Sequence, residues 1–148
     1  MSTTLTEIIP LLKTKLEGIQ VGLDDAFAEV FDHADGDFSK FPVAVITEKG
    51  GSGEIIDTHR NIRTFELSVE LYQEQSRAGK TKQEAADIMR SIFDAVIVAF
   101  DQDKDLGGAV DRIQVVSFTS DFKANAGTFN FATFNINATV VVDSHVSV

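Results

Sequence analysis

No cysteine occurs in the 148 residues, which excludes disulfide staples, thiolate metal sites and thiol catalysis. Tryptophan is missing too, and a single Tyr accompanies twelve Phe, so the aromatics belong to a core rather than to a stacking platform. Positive charge is scarce: 13 Lys and Arg face 23 Asp and Glu, for a net charge of −10. Neutralising phosphates takes clustered Lys and Arg, so this balance disfavours nucleic-acid binding and favours solubility. Apolar runs all stop short of the roughly 18 residues a membrane helix needs, and no basic stretch leading into an apolar run marks a signal peptide. These absences describe a soluble acidic domain made in the cytoplasm.

What is present fits one ordinary domain over 1–148. The hydrophobic fraction is 43%. A chain of this length buries roughly 68–70% of the surface it exposes when unfolded. The strongest pattern is Lys80 to Gln102, read as an amphipathic helix. At 100° per residue, Ala85, Ile88, Met89, Ile92, Phe93, Val96, Ala99 and Phe100 fall on one side. Glu84, Asp87, Arg90, Ser91 and Asp94 fall on the other. With Ala86, Ala95 and Ile97 the apolar arc exceeds half the circumference, and Val98 projects from the polar side. Such an arc predicts a helix lying on a sheet while touching a second helix or another subunit.

Thr3 to Gly18 reads as a first helix with Leu5, Ile8, Ile9, Leu12 and Leu16 on one face. Thr4 and Glu7 have capping-box spacing, and Pro10 predicts either a later start or a kink. Asp25 to His33 is a short candidate strand, and Val43 to Ile46 a strand buried on both sides. Lys49 to Arg60 reads as the longest loop, its tip made flexible by Gly50, Gly51, Ser52 and Gly53. Ile62 to Tyr72 alternates, with Phe65, Leu67, Val69 and Leu71 facing one way. Two strands, near Val110 to Phe122 and Thr128 to Asp143, end the sequence. In the second of these Phe134, Ile136, Ala138, Val140 and Val142 share a face, while Phe129 and Phe131 lie on the face opposite Phe134 and Ile136, so both sheet faces carry aromatics there. The expected class is α+β: an antiparallel sheet of four to five strands with two helices on one face, in the order α-β-β-β-α-β-β.

Chemical motifs fail on inspection. Asp101, Asp103 and Asp105 have the spacing that opens a calcium loop, but Leu106 stands where glycine is needed and Arg112 where a bidentate Glu is needed. Ala78-Gly79-Lys80-Thr81 imitates the end of a P-loop, with Glu74 in the place of its first glycine. His33, His59 and His145 lack ligand spacing, and no Ser sits in a G-x-S-x-G turn. No catalytic, cofactor-binding or metal residues are assigned, and a non-enzymatic role is expected.

Phe41-Pro42-Val43-Ala44-Val45 enters a strand before the long loop. Arg63-Thr64-Phe65-Glu66-Leu67-Ser68-Val69 follows, and the amphipathic helix ends in Phe100-Asp101-Gln102-Asp103 ahead of two last strands. In this order of elements the chain resembles the tail terminator (tail completion) proteins of long-tailed bacteriophages along nearly its whole length. The resemblance implies a structural virion protein at the head–tail interface. It would form a ring, a hexamer in that family, on the head-proximal end of the tail tube, stopping polymerisation and offering a surface for head joining. Implied partners are further copies of the chain, the tail tube protein and a connector or stopper protein, with DNA only as passing cargo, no membrane and no cofactor. The expected assembly surface comprises Gly50, Gly51, Ser52, Gly53, Ile97, Val98, Phe129 and Phe131. Another neck component, a head–tail joining or stopper protein, is the nearest alternative, and a small cytoplasmic ligand-binding domain a more distant one.

Overall fold

The computed structural model describes residues 4–32, 42–56, 60–74, 82–121 and 129–143. Helix α1 spans Leu5–Glu17 and α2 spans Lys82–Gln102. Seven strands surround them: β1 (Gln20–Val21), β2 (Asp24–Asp25), β3 (Glu29–Phe31), β4 (Val43–Ile55), β5 (Arg60–Glu74), β6 (Arg112–Asp121) and β7 (Phe129–Asp143). The first two form a small hairpin, and the other five form one sheet in the order β3-β4-β5-β7-β6. This is the expected α+β class, with more strands than the sequence suggested.

The helices exist for the reasons the pattern gave. In α1, Ile8, Ile9, Leu12 and Leu16 recur at helical spacing and are buried. Pro10 neither delays the start nor ends the helix; it lies inside, on the exposed side. Thr4 precedes the first turn, its carbonyl accepting from the Glu7 and Ile8 amides, while its hydroxyl donates to the Glu7 carboxylate at 3.4 Å. The box is thus closed between side chains rather than onto the backbone. In α2, Met89, Ile92, Val96 and Phe100 are buried, and Ile88, Phe93, Ala95, Ile97 and Ala99 pack partly against the same core. The wide arc therefore rests on the sheet and reaches sideways toward the β1–β2 hairpin.

Both helices cover one face of the sheet, α1 over β3 and β4, α2 over β5, β6 and β7. That face presents Ala44, Ile46, Leu67, Val69, Leu71, Ala132, Phe134, Ile136, Ala138 and Ile113, all buried. Phe134 sits at its centre, with Val69 beside it on β5 and Phe118 beside it on β6. Val43 and Val45 are buried on the opposite face, so the 43–46 strand is covered on both sides as expected. Elsewhere the opposite face is mainly polar, with Ile62 and Val141 paired near its far end. Thr47, Ser68, Asn135 and Ser117 lie in one row across β4, β5, β7 and β6. Asn135 donates to the Ser117 hydroxyl at 2.8 Å and accepts from Lys49 Nζ at 3.2 Å. The buried Ser68 hydroxyl has no hydrogen-bond partner among the described residues.

Three expectations are corrected. The sheet is not wholly antiparallel, because β3 pairs parallel to β4 over Glu29–Phe31. The Asp25 to His33 strand is two short pieces, β2 and β3, and its last residue lies outside the described residues. The third correction matters most: Gly50, Gly51, Ser52 and Gly53 are strand, not loop. They pair with Glu66, Phe65, Thr64 and Arg63 beyond a bulge at Lys49. Glycine has low strand propensity, so the segment reads as a loop in isolation, but the long alternating β5 supplies a ladder that holds it. The same bulge uses Gly50 at φ +114°, a conformation other residues rarely adopt.

Gly51 has a separate reason to be glycine. A Cβ there would collide with the Thr64 carbonyl oxygen, whereas one at Gly53 would approach only the Ile62 carbonyl, at 3.9 Å. Gly51→Ala is therefore expected to cost about 1–3 kcal/mol in urea unfolding, as overpacking does, and Gly53→Ala less than about 1 kcal/mol. Equal effects at the two sites would contradict this account.

Candidate assembly surface

The expected interface residues separate on the structure. Ile97 is half-buried against the core, while Val98, 49% exposed, lines a cleft between the helices with Lys15, Gly18, Ala95, Ala99 and Asp103. Gly50 to Gly53 lie on the other side of the molecule, flooring a groove closed by Leu5, Glu48, Arg63 and Phe65. Phe129 and Phe131 pair in β7 with Glu74 and Tyr72, but their side chains lie outside the described residues. These residues do not form one patch.

Two exposed apolar clusters do stand out, and neither was legible in the residue pattern. On β6, Val116 and Phe118 are about half exposed, and the Phe118 ring meets Phe93 edge-on at 5.1 Å between centroids. Phe93 in turn packs against Phe134 at 4.8 Å. The pairing with β7 shifts between Val115 and Ser117, which turns Val116 out of the alternation. The adjacent valines at 115 and 116 were the available signal, since two apolar neighbours break a period of two. At the far end of the β4–β5–β7 ribbon, Ile55 is 77% exposed and is followed by the exposed Ile56, while the exposed Val141 is level with Ile62 and faces the other side of the sheet. Leu23, at the tip of the β1–β2 hairpin, is 98% exposed.

The acidic turn after α2 is tied to the protein itself. Lys15 Nζ donates to Asp103 Oδ2 at 3.1 Å and stands 5.2 Å from the centre of the Phe100 ring. The Asp103 Oδ1 atom accepts from the Gly107 amide at 3.2 Å. Its carboxyl is held below the usual range first by the Lys15 hydrogen bond, against an opposing desolvation effect. The sign follows directly. A depressed acid stabilises the fold above its unfolded pKa, near 3.8, and that contribution is lost as pH falls through the lower folded value. Asp103→Asn is thus expected to reduce stability at pH 6 and to match the parent in strong acid; a gap independent of pH would contradict the assignment. Leu106 takes φ +51°, the left-handed position that an EF-hand gives to glycine, and buries its side chain.

Tyr72 donates to Glu70 Oε2 at 2.7 Å, and burial first, then this bond, pushes its phenol up to about 12. That pair belongs to the polar sheet face. No group of three or more His, Asp or Glu gathers at metal-binding distance among the described residues. The Ala78–Thr81 turn and the three histidines lie outside the described residues. No helix among the described residues is long and apolar enough to cross a membrane. The arrangement offers edges and apolar patches for protein contact. Compared with known protein families and with curated proteins, the chain matches none.

Proposed function

We propose that this chain is a ring-forming structural protein of the tail terminator kind, located at the head–tail interface of a virion. It caps the head-proximal end of the tail tube, stops further polymerisation and presents the surface on which the head is joined. One observation carries the reading. Two different exposed apolar sites, Val116 with Phe118 on β6 and Ile55 with Ile56 at the end of β4, sit toward opposite edges of one sheet. Exposed apolar surface marks contact sites. Two unlike patches toward opposite edges suit head-to-tail contact, and head-to-tail contact closes into a ring when the rotation permits.

In such a ring one side meets the tail tube protein and the other a connector or stopper protein, while DNA passes through the centre. The net charge of −10 keeps passing DNA from adhering. The same charge makes copies repel one another, so assembly is favoured by salt, which screens the repulsion. Light scattering over a concentration series at low and high salt tests the proposal. The expected result is a species close to six times the 16.1 kDa subunit, more abundant at high salt. A monomer under every condition, or a simple dimer, would overturn it.

A further inference from the structure

Two windows on the sheet's edges are open among the described residues. β3 pairs only with Val43–Val45, which leaves the outer edge of β4 free over Glu48–Ile55. On the other side, the turn after α2 covers the start of β6, where the Ile113 amide donates to the Lys104 carbonyl at 2.6 Å. Beyond that bond no described strand lies outside Gln114–Asp121. Each window is eight residues long. An open edge is a template for another strand, and proteins usually blunt it with charge or proline. Here the β6 edge instead carries Val116 and Phe118 exposed.

We infer that copies of this chain join edge to edge, Gln114–Asp121 of one pairing antiparallel with Glu48–Ile55 of the next, with Phe118 seated over the neighbour's Gly51. The inference rests on the ring reading above and specifies its contact. Direction follows from the topology: β4, β5, β7 and β6 alternate in sense, so β6 runs opposite to the β4 of a neighbour placed alongside with its helices on the same face. Antiparallel pairing is the more stable kind.

The stagger follows from the windows. Ser117, at the middle of one, is level with Ser68 through Asn135, and Ser52, at the middle of the other, is level with Thr64. The offset is four residues along β5, an even number, so the helix-bearing face continues from copy to copy. Phe118 then falls opposite Gly51, where the groove between Leu5 and Phe65 has no side chain at Gly51 or Gly53 to fill it. Glycine at these positions makes room for the aromatic ring.

Closure is geometrically consistent. Four residues of roughly 3.3 Å rise across four strands of roughly 4.8 Å spacing tilt the strands by about 35°, within the range of closed sheets. The hand agrees as well. The crossover from β5 through α2 to the parallel β6 is right-handed by rule, which puts β6 to the right of an upward β5 seen from the helix side. Each next copy is then raised toward the right, and the strands climb as a right-handed screw, the sense sheet twist demands, only with the helices outside. The polar face carrying Lys49, Glu66, Arg112 and Asn137 therefore lines the channel. One eight-residue contact is well below the 20–30 residues per side of a standard interface, so single contacts are weak and the closed ring is the stable species.

The absence of cysteine makes a clean test possible. Ser117 and Ser52 are both exposed, and Cα atoms of facing residues in paired strands lie within disulfide reach. Under oxidation at ring-forming concentration, a mixture of Ser117→Cys and Ser52→Cys chains is expected to give a disulfide-linked pair, while either variant alone gives none. A chain carrying both changes is expected to give a ladder that ends at the ring number. Ring mass in light scattering without cross-links in the mixture would overturn this contact and leave the ring reading standing. Self-linking of Ser117→Cys alone would overturn the head-to-tail arrangement, and a monomer throughout would overturn both.

Discussion

Phe118→Asp is expected to abolish the ring and return a folded monomer of 16.1 kDa. Phe118 is 52% exposed in the free chain, so a carboxylate there can stay in water without disturbing the core. The fold loses the edge-on contact with Phe93 and the longer one with Phe134, each worth about 1 kcal/mol beyond area burial. In the joined state the same carboxylate is enclosed in the glycine-floored groove, near Glu48. Enclosing an unpaired charge beside a like charge removes the contact outright, and losing a central aromatic anchor alone costs at least about 2 kcal/mol per interface. Every subunit contact in a ring repeats that loss. The measurement pairs light scattering, for the missing ring, with urea unfolding at low concentration, for the retained fold. Phe118→Leu, which keeps an apolar knob, is expected to recover much of the assembly. A ring that survives Phe118→Asp would remove this residue from the interface.

The two levels of this protein were unequally legible in its sequence. Helix α2, the alternation of β5 and the buried face of β7 follow from periodicity, because each is long enough for its period to repeat several times. Short elements failed for the converse reason: β3 is three residues with one buried side chain, Val30, and no period can be read from it. Gly50 to Gly53 failed because local propensity opposed the tertiary ladder that β5 imposes. The assembly surface was harder still. Ile97 looked spare on a helical wheel but rests against the core, since a helix in a groove between sheet and hairpin uses more of its circumference than one on a flat sheet. Open edges depend on strand order, and strand order is set by which segments meet rather than by the residues within any one of them.

The largest stability effect is expected from Phe134→Ala, and it links core to edge. Phe134 is fully buried in β7, between Val69 and Phe118 in neighbouring strands and beneath Phe93 of α2. Removing a buried Phe side chain from such a site costs about 3–5 kcal/mol, through lost transfer energy and the cavity left behind. A domain holds only about 5–15 kcal/mol in total, so urea midpoints should fall by a large fraction while the far-UV spectrum of the native baseline persists. A cost below about 1 kcal/mol would mean that the site collapses around the gap and is not the rigid centre described. The same change should also weaken ring formation, because Phe93 and Phe118 rest on Phe134, at 4.8 and 6.3 Å between ring centroids. Combining Phe134→Ala with Phe118→Leu should then give less than the sum of the separate losses in assembly, since groups in one cluster do not act independently. Strict additivity would separate the edge from the core, and would place the rigidity of the Phe118 knob in β6 alone.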